Sequence, residues 1–321
     1  MKDNKKINIL ATGCGGDLGA SVGRICKSSD LIGKVIGCNN HDKHFSKYIY
    51  DKYFVVDNFD TENYKPQIDK IVEAEDIDLI IPLSEIELRM ISDRNVSDEY
   101  SGVPYLSANK KSLEVGFDKL KTIEFLKDIG VSFPKTIIFS ELKDELSYPY
   151  IIKSRSGYGS KSIFKITSET ERNKYLKDFP DFIAQEYIDV DDQEYTCGLF
   201  SSSDGKNIRS ITMHRNLYEG TTSYGSVRNI ELIKNLLHKI AEGLQLNGSI
   251  NVQLRLTAKG PLVFEINPRF SSTVRFRHLM GYKDLIWSIE DLFYKKISDY
   301  KDVNDNTHFY RDSNEVIVNN D

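Results

Sequence analysis

Short apolar runs alternate with amphipathic stretches along the first hundred residues. Ile7–Ala11, Val35–Cys38, Tyr53–Val56, Leu79–Ile81 and Pro104–Leu106 read as strands. Between them, the stretch running to Lys27, Tyr64–Glu75 and Glu85–Asn95 carry helical spacing. Strands alternating with helices at this interval predict a parallel sheet covered by helices, placed at 1–108.

The pattern changes after Asn109. Leu113, Phe117, Leu120, Ile123 and Leu126 recur at three- and four-residue steps and predict one helix over Leu113–Ile129. Ser147–Lys153 and Ser162–Ile166 flank a Gly/Ser loop and predict a hairpin flap. A helix over Glu169–Lys177 and a strand over Phe182–Ile188 complete a unit at 109–188. A third unit, 189–300, has strands at Glu194–Ser201, Asn207–His214, Ile250–Leu256 and Leu262–Ile266. It also has helices at Asn229–Leu246 and Tyr282–Lys296, and a loop at Gly220–Gly225. Residues 301–321 are polar and read as a loosely attached tail.

Composition narrows the class without naming an activity. Apolar residues are 40% and charged residues 28% of 321, as in soluble globular chains. The formal charge of −5 lacks the basic excess of a nucleic-acid footprint. No apolar stretch reaches membrane-spanning length, so no membrane partner is expected. The N-terminal apolar run is too short for a signal peptide. Cys14, Cys26, Cys38 and Cys197 form no C-x-x-C or zinc spacing, which fits a reduced, cytoplasmic setting.

Two polar clusters hold the candidate chemistry. The turn Thr12–Gly19 follows the first strand, where glycines admit a phosphate or simply make a tight turn. Such a turn suits an NAD-dependent oxidoreductase only if an acid ends the second strand. That strand instead runs Cys38-Asn39-Asn40, which weakens the oxidoreductase alternative. The other cluster is Val263-Phe264-Glu265-Ile266-Asn267-Pro268-Arg269. Alternation puts Glu265, Asn267 and Arg269 on one face if the strand persists that far. A carboxylate beside an amide oxygen suits Mg²⁺, and an arginine suits a phosphate. A capped strand with solvated charges is the plainer reading of the same residues.

In these motifs the chain resembles the ATP-grasp superfamily, and more narrowly its ligases that look like single units of the carbamoyl-phosphate synthase large chain. The resemblance covers about 7–295. It implies an α/β chain: an N-terminal Rossmann-like parallel-sheet domain followed by a two-subdomain ATP-grasp fold. It also implies that ATP phosphorylates a small-molecule carboxylate and that an amine or ammonia displaces the phosphate.

Residue by residue, Lys119 resembles the cation that opens the lid helix, and Lys153 the lysine before the flap; both would face ATP phosphates. The loop Ser154–Lys161 resembles the flap itself, with Ser154, Ser156, Gly157, Gly159 and Ser160 as backbone contributors. Arg155 and Tyr158 are bulkier than the family's usual residues there. Glu186, Tyr187 and Ile188 resemble the adenine hinge, and Glu194 the ribose-binding carboxylate. On chemistry alone Glu186 and Glu194 are equally exposed strand-edge charges. Glu265, Asn267 and Gln253 would bind Mg²⁺, or Mn²⁺ in its place, with Gln253 standing where many relatives carry an acid. Arg269 would face the transferred phosphoryl group, making it and Lys153 the catalytic pair. Arg209, Arg215 and Arg275 are candidate clamps for the substrate carboxylate. Two further possibilities are kept: a non-catalytic ATP-binding or structural protein, and assembly as a homodimer.

Overall fold

In the N-terminal unit β1 (Ile7–Thr12) lies inside a four-stranded parallel sheet, flanked by β2 (Ile32–Asn39) and β4 (Leu79–Pro82), with β3 (Lys52–Val55) at the edge. The computed structural model describes residues 5–93, 99–157, 163–189, 193–218 and 221–311. Ile9, Leu10 and Ala11 have no exposure, because both faces of this sheet are covered. On one face α1 (Gly16–Lys27) lays Val22, Ile25 and Cys26 against Ile9 and Val35. On the other, α2 (Tyr64–Glu75) buries Ile68 and Ile71 against Leu10 and Ile80. After α3 (Glu85–Asp93), a small hairpin of β5 (Glu99–Tyr100) and β6 (Val103–Pro104) returns the chain to β4, where the Leu106 amide donates to the Ile80 carbonyl at 2.8 Å.

The single helix expected over 113–129 is two helices, α4 (Lys110–Gly116) and α5 (Lys119–Asp128). Apolar spacing carries across the break, so periodicity alone could not see it. Asp118 is extended (φ −126, ψ 114), and its carboxylate accepts the Leu120 amide at 2.9 Å, capping α5. The Thr122 hydroxyl donates to the Val115 carbonyl at 2.8 Å and so satisfies the end of α4. Gly116 lets α4 reach the turn after residue 267: a Cβ there would lie 2.6 Å from Pro268 Cδ.

The lid unit is a second sheet in the order β7-β10-β8-β9, entirely antiparallel. It contains β7 (Thr136–Ile138), β8 (Tyr150–Lys153), β9 (Ile163–Ile166), α6 (Glu169–Asp178) and β10 (Ile183–Glu186). Strands β8 and β9 form the expected hairpin; Gly159, Ser160 and the rest of its tip fall outside the described residues.

The third sheet runs β15-β14-β11-β12-β13-β16. Its strands are β11 (Glu194–Ser201), β12 (Ile208–Tyr218), β13 (Thr221–Val227), β14 (Gly248–Thr257), β15 (Gly260–Asn267) and β16 (His308–Tyr310). Along α7 (Glu231–Leu244), Ile233, Leu237, Ile240 and Leu244 pack on Cys197, Ile250, Val252 and Leu254 of one face. The other face is covered partly by α8 (Val274–Leu279) and α9 (Asp284–Tyr294), which also pack against the N-terminal unit through Val274, Leu285, Ile286 and Ile289.

Two expectations are corrected here. Residues 221–225 of the expected Gly220–Gly225 loop are strand: β13 begins at Thr221, and its Thr, Tyr and Val residues suit a strand paired on both sides, while Gly220 lies outside the described residues. The stretch after 300 is not all loosely attached. β16 pairs with β13, Phe309 is buried, and Arg311 forms an ion pair with Asp17 at 2.6 Å. Residues 312–321 lie outside the described residues.

Beneath the covered face, Arg277 and Asp284 form an ion pair at 2.8 Å with essentially no exposure (0% and 1%). Asp284 also accepts the Ser249 hydroxyl at 2.7 Å, and burial pushes its carboxyl upward in pKa. Arg277→Met should cost about 3–5 kcal/mol in urea unfolding, since it strands a buried carboxylate. A loss below 1 kcal/mol would show that Asp284 simply protonates without penalty.

Candidate active site

Lys153, at the end of β8, points from the lid sheet toward β15 of the third sheet. It is 5% exposed, and its Nζ donates to Gln185 Oε1 at 2.9 Å and lies 5.7 Å from the centre of the Phe264 ring. Gln185 is itself held, its amide donating to Thr136 Oγ1 at 2.8 Å. Burial pushes the Lys153 pKa down to about 8; Glu265 opposes that shift, and Lys119 adds to it. An ammonium kept in a dry place between a carboxylate and a second ammonium is poised for an anionic ligand.

Lys119 is the first residue of α5. Its Nζ donates to the Gly157 carbonyl at 3.0 Å, and its backbone amide to the Arg155 carbonyl at 3.1 Å. Arg155, bulkier than the residue usual at that place in the family, forks onto the α5 cap Asp118 at 2.7 and 3.0 Å. The base of the flap, including Ser154 and Ser156, whose side chain and carbonyl hydrogen-bond, is thereby fastened to the start of α5.

On the third sheet, cross-strand register places Gln253 opposite Glu265 and Asn251 opposite Asn267. A bulge next to Gln253 inserts Phe264 as an extra residue. Phe264 and Glu265 are therefore both half-exposed, and the strict alternation expected for this strand fails at that point. It also stops before Arg269: β15 ends at Asn267, and Arg269 sits in the following bend, donating Nη1 to the Phe270 carbonyl at 3.0 Å. Arg269 lines a small cavity with Pro82, Leu106 and Ser249, where the N-terminal unit meets the third sheet.

The Glu265 carboxylate accepts no hydrogen bond from the described residues, though it is half-buried beside the amides of Gln253 and Asn267. The Glu265 carboxylate, the Asn267 amide oxygen and the Gln253 amide oxygen, the last already accepting from Arg215 Nη2 at 3.0 Å, form a hard, oxygen-only donor set. Among the described residues no group of three His, Cys, Asp or Glu could hold a metal alone. The set fits magnesium, which prefers few carboxylates together with phosphate oxygens and water.

Toward the hinge, Glu186 is exposed and accepts the Lys135 amide at 3.2 Å, while Lys165 lies 3.9 Å over the Tyr187 ring. Arg255 donates to the Ile188 carbonyl at 2.7 Å and to Glu194 at 3.2 Å, joining the hinge to β11. Arg215 meets the other Glu194 oxygen at 2.5 Å and Gln253 Oε1 at 3.0 Å. Arg215 thus stands between the Glu194 carboxylate and the Gln253 amide. Arg209 lies apart from this group, 4.4 Å over Trp287 and bonded to the Ser298 carbonyl. Arg275 is on α8.

Sequence reasoning missed Arg255, Gln185 and Asn251. Gln185 had a signal, since alternation turns it inward beside outward Glu186. Asn251 had none: its Oδ1 collects Thr196 Oγ1 and Ser271 Oγ at 3.0 Å and Arg277 Nη1 at 3.3 Å, partners scattered along the chain.

Comparison with known proteins agrees with this architecture. Residues 117–273 match the family model described as an ATP-grasp domain, and residues 9–106 the PylC-like N-terminal domain. The chain is 26% identical over 127 residues to a carbamoyl-phosphate synthase of Methanobrevibacter smithii, covering 37% of this chain and 35% of that protein. It is 24% identical over 197 residues to the carbamoyl phosphate synthase large chain of Thermoanaerobacter sp., covering 54% of this chain and 18% of that one. The chain therefore spans about a third of these relatives' length or less.

Among solved structures, the biotin carboxylase domain of the Hydrogenobacter thermophilus 2-oxoglutarate carboxylase superposes with a TM-score of 0.74 at 16% identity, covering 95% of this chain and 74% of that one. An L-amino acid ligase from Bacillus licheniformis gives 0.67 at 17%, covering 90% and 75%. Residues 117–273 are thus similar to an ATP-grasp domain, and the chain shares the fold of these solved structures. Within it, the architecture is an N-terminal Rossmann-like sheet domain followed by two ATP-grasp subdomains, as in the biotin-carboxylase-like structures.

Proposed function

We propose that the chain is an ATP- and magnesium-dependent ligase that phosphorylates a small-molecule carboxylate and joins its acyl group to an amine or ammonia. The observation that carries this is the meeting of buried Lys153 from the lid with Glu265 from the third sheet across one cleft. The domain match supports it, and the Hydrogenobacter structure contains MgADP and bicarbonate.

Lys153 and Lys119 would bind the nucleotide phosphates, the hinge at Glu186–Ile188 the adenine, and Glu194 the ribose hydroxyls. Two arginines leave Glu194 lone pairs to accept them. Glu265, Asn267 and Gln253 would hold magnesium, or manganese in its place, which supplies neutralising charge against the triphosphate. A substrate carboxylate oxygen attacks the γ-phosphorus, the bond to the β-phosphate oxygen breaks, and ADP is released. The amine then attacks the acyl carbon, and inorganic phosphate leaves as the amide forms and the amine loses a proton. Arg269 is the group for charge on the transferred phosphoryl. Arg215, held near the cleft, is better placed than Arg209 to touch a carboxylate.

The oxidoreductase alternative has less support: at Gly15 of the turn a Cβ would lie 2.7 Å from Asn39 Nδ2 and 2.8 Å from the His44 ring, and the domain match favours the ligase reading. The four cysteines are buried and unpaired, consistent with a cytoplasmic setting, and the dimeric Hydrogenobacter domain makes a homodimer the corresponding expectation.

Substrate-dependent ADP release across carboxylate and amine pools tests the proposal. If no pool consumes ATP and Mg-ATP does not raise the melting temperature, it fails. If ATP binds but is never turned over, a non-catalytic nucleotide-binding protein replaces it. Glu265→Gln keeps shape but removes the only carboxylate of the donor set. Its activity should fall by roughly two orders of magnitude and recover partly at high magnesium. A loss unchanged across a magnesium titration would remove Glu265 from the metal.

A further inference from the structure

The base of the flap and the start of α5 are joined at three points. The Arg155 guanidinium forks onto the Asp118 carboxylate, with Nη2 2.7 Å from Oδ2 and Nε 3.0 Å from each oxygen. The Arg155 carbonyl accepts the Lys119 amide at 3.1 Å. The Lys119 ammonium donates to the Gly157 carbonyl at 3.0 Å. Asp118 also accepts the Leu120 amide at 2.9 Å, so the anchor of the fork is fixed to the helix it caps.

Fold stability does not account for this joint. The side chains of Arg155 and Asp118 are 45% and 20% exposed, and ion pairs so open to water add little. Nor does the turn need it: Gly157 holds a φ of +104, which glycine adopts freely, and a Cβ there would meet nothing within 4 Å. What the joint fixes is the Lys119 ammonium. That group lies close enough to buried Lys153 to help lower its pKa, after burial itself. Two ammoniums repel, and a lysine head on a flexible stem turns to water unless something holds it. The Gly157 carbonyl holds it, and the Arg155 fork sets where Gly157 lies. An ammonium has three donors, so Lys119 keeps two for a ligand while it stays tethered.

We infer that Arg155 is a positioning residue: by forking onto Asp118 it holds the flap base so that Lys119 is in place for a nucleotide phosphate before the nucleotide binds. The inference rests on the ligase reading, which assigns Lys119 and Lys153 to the phosphates. Arg155 acts through Lys119 and touches no ligand itself. Its contribution is the ordering of another side chain ahead of binding.

Mg-ADP binding to the full chain, followed by calorimetry, tests this. Ordering one long side chain in advance corresponds to about a fivefold change in affinity, so Arg155→Gln should bind Mg-ADP about fivefold more weakly than the parent. Its melting temperature without ligand should stay within about two degrees. Lys119→Gln removes the group through which Arg155 acts, so adding Arg155→Gln to it should weaken binding by less than about twofold further. Asp118→Asn keeps a capping oxygen but loses the charge; it should match Arg155→Gln, and the two together should be no worse than either alone. Parent-like binding by Arg155→Gln overturns the inference. So does a loss that persists in full in the Lys119→Gln background, which would put Arg155 on the nucleotide itself. Where that background binds too weakly to measure, additive losses from Arg155→Gln and Asp118→Asn overturn it. Failure of the parent to bind Mg-ADP would instead sink the ligase reading.

Discussion

Lys153→Met should fold as well as the parent and lose nearly all nucleotide binding. In the unliganded chain the lysine is a burden. A pKa pushed from the ordinary lysine value of 10.5 to about 8 corresponds to about 3 kcal/mol against the charged form. Methionine removes that cost and fills similar space. Against it, Gln185 Oε1 loses its donor, worth about 1–3 kcal/mol. The two effects nearly cancel, so the melting temperature without ligand should move by only a few degrees. With Mg-ATP the picture reverses: the lost charge-assisted contact to phosphate should weaken binding by about a hundredfold or more and abolish turnover.

The pH dependence separates this role from a purely structural one. Between about 8 and 10.5 the unfolded chain keeps the Lys153 proton that the folded chain has released. The unfolded state then binds more protons, so stability of the unliganded parent rises with pH through this window relative to the methionine variant. Nucleotide affinity should move oppositely, falling above about pH 8 as the ammonium is lost. Denaturant midpoints and ATP titrations from pH 7 to 10 measure both. A parent whose affinity is flat across that range would place the phosphates elsewhere.

The second large effect is expected at Arg269→Lys. One guanidinium nitrogen is anchored on the Phe270 carbonyl, so the planar group is held in orientation by its own backbone. Lysine cannot keep that anchor and present an oriented donor at once. Removing one such donor from developing phosphoryl charge costs about 3 kcal/mol, or roughly two orders of magnitude in turnover. ATP affinity should stay within about twofold, because the proposed function assigns the ground-state contacts to Lys119, Lys153 and the hinge. Turnover and ATP binding are measured side by side on the substrate pair found by ADP release. Full turnover in the variant would make Arg269 structural.

The N-terminal sheet, the flap hairpin and most strands of the third sheet follow from local pattern. Apolar runs buried on both faces and α7's stripe need only neighbours in sequence to declare themselves. So does the start of α5, because Asp118 beside Lys119 is a capping signal.

The sequence also determined which chemical groups were available: buried-strand Lys153, and Glu265 and Asn267 two residues apart. Tertiary structure decided how they are used. The bulge that turns Phe264 and Glu265 together toward Lys153 depends on register with β14, which no local pattern encodes. The close approach of α4 to Pro268 at Gly116 is a tertiary contact, and β13 has β12 and β16 at its two edges. Arg311 reaches Asp17 across 294 residues of chain. Period and propensity act over one turn or one pleat. Ion pairs, register and close packing join residues that only the folded chain brings within a few ångströms, so the cleft could be read only there.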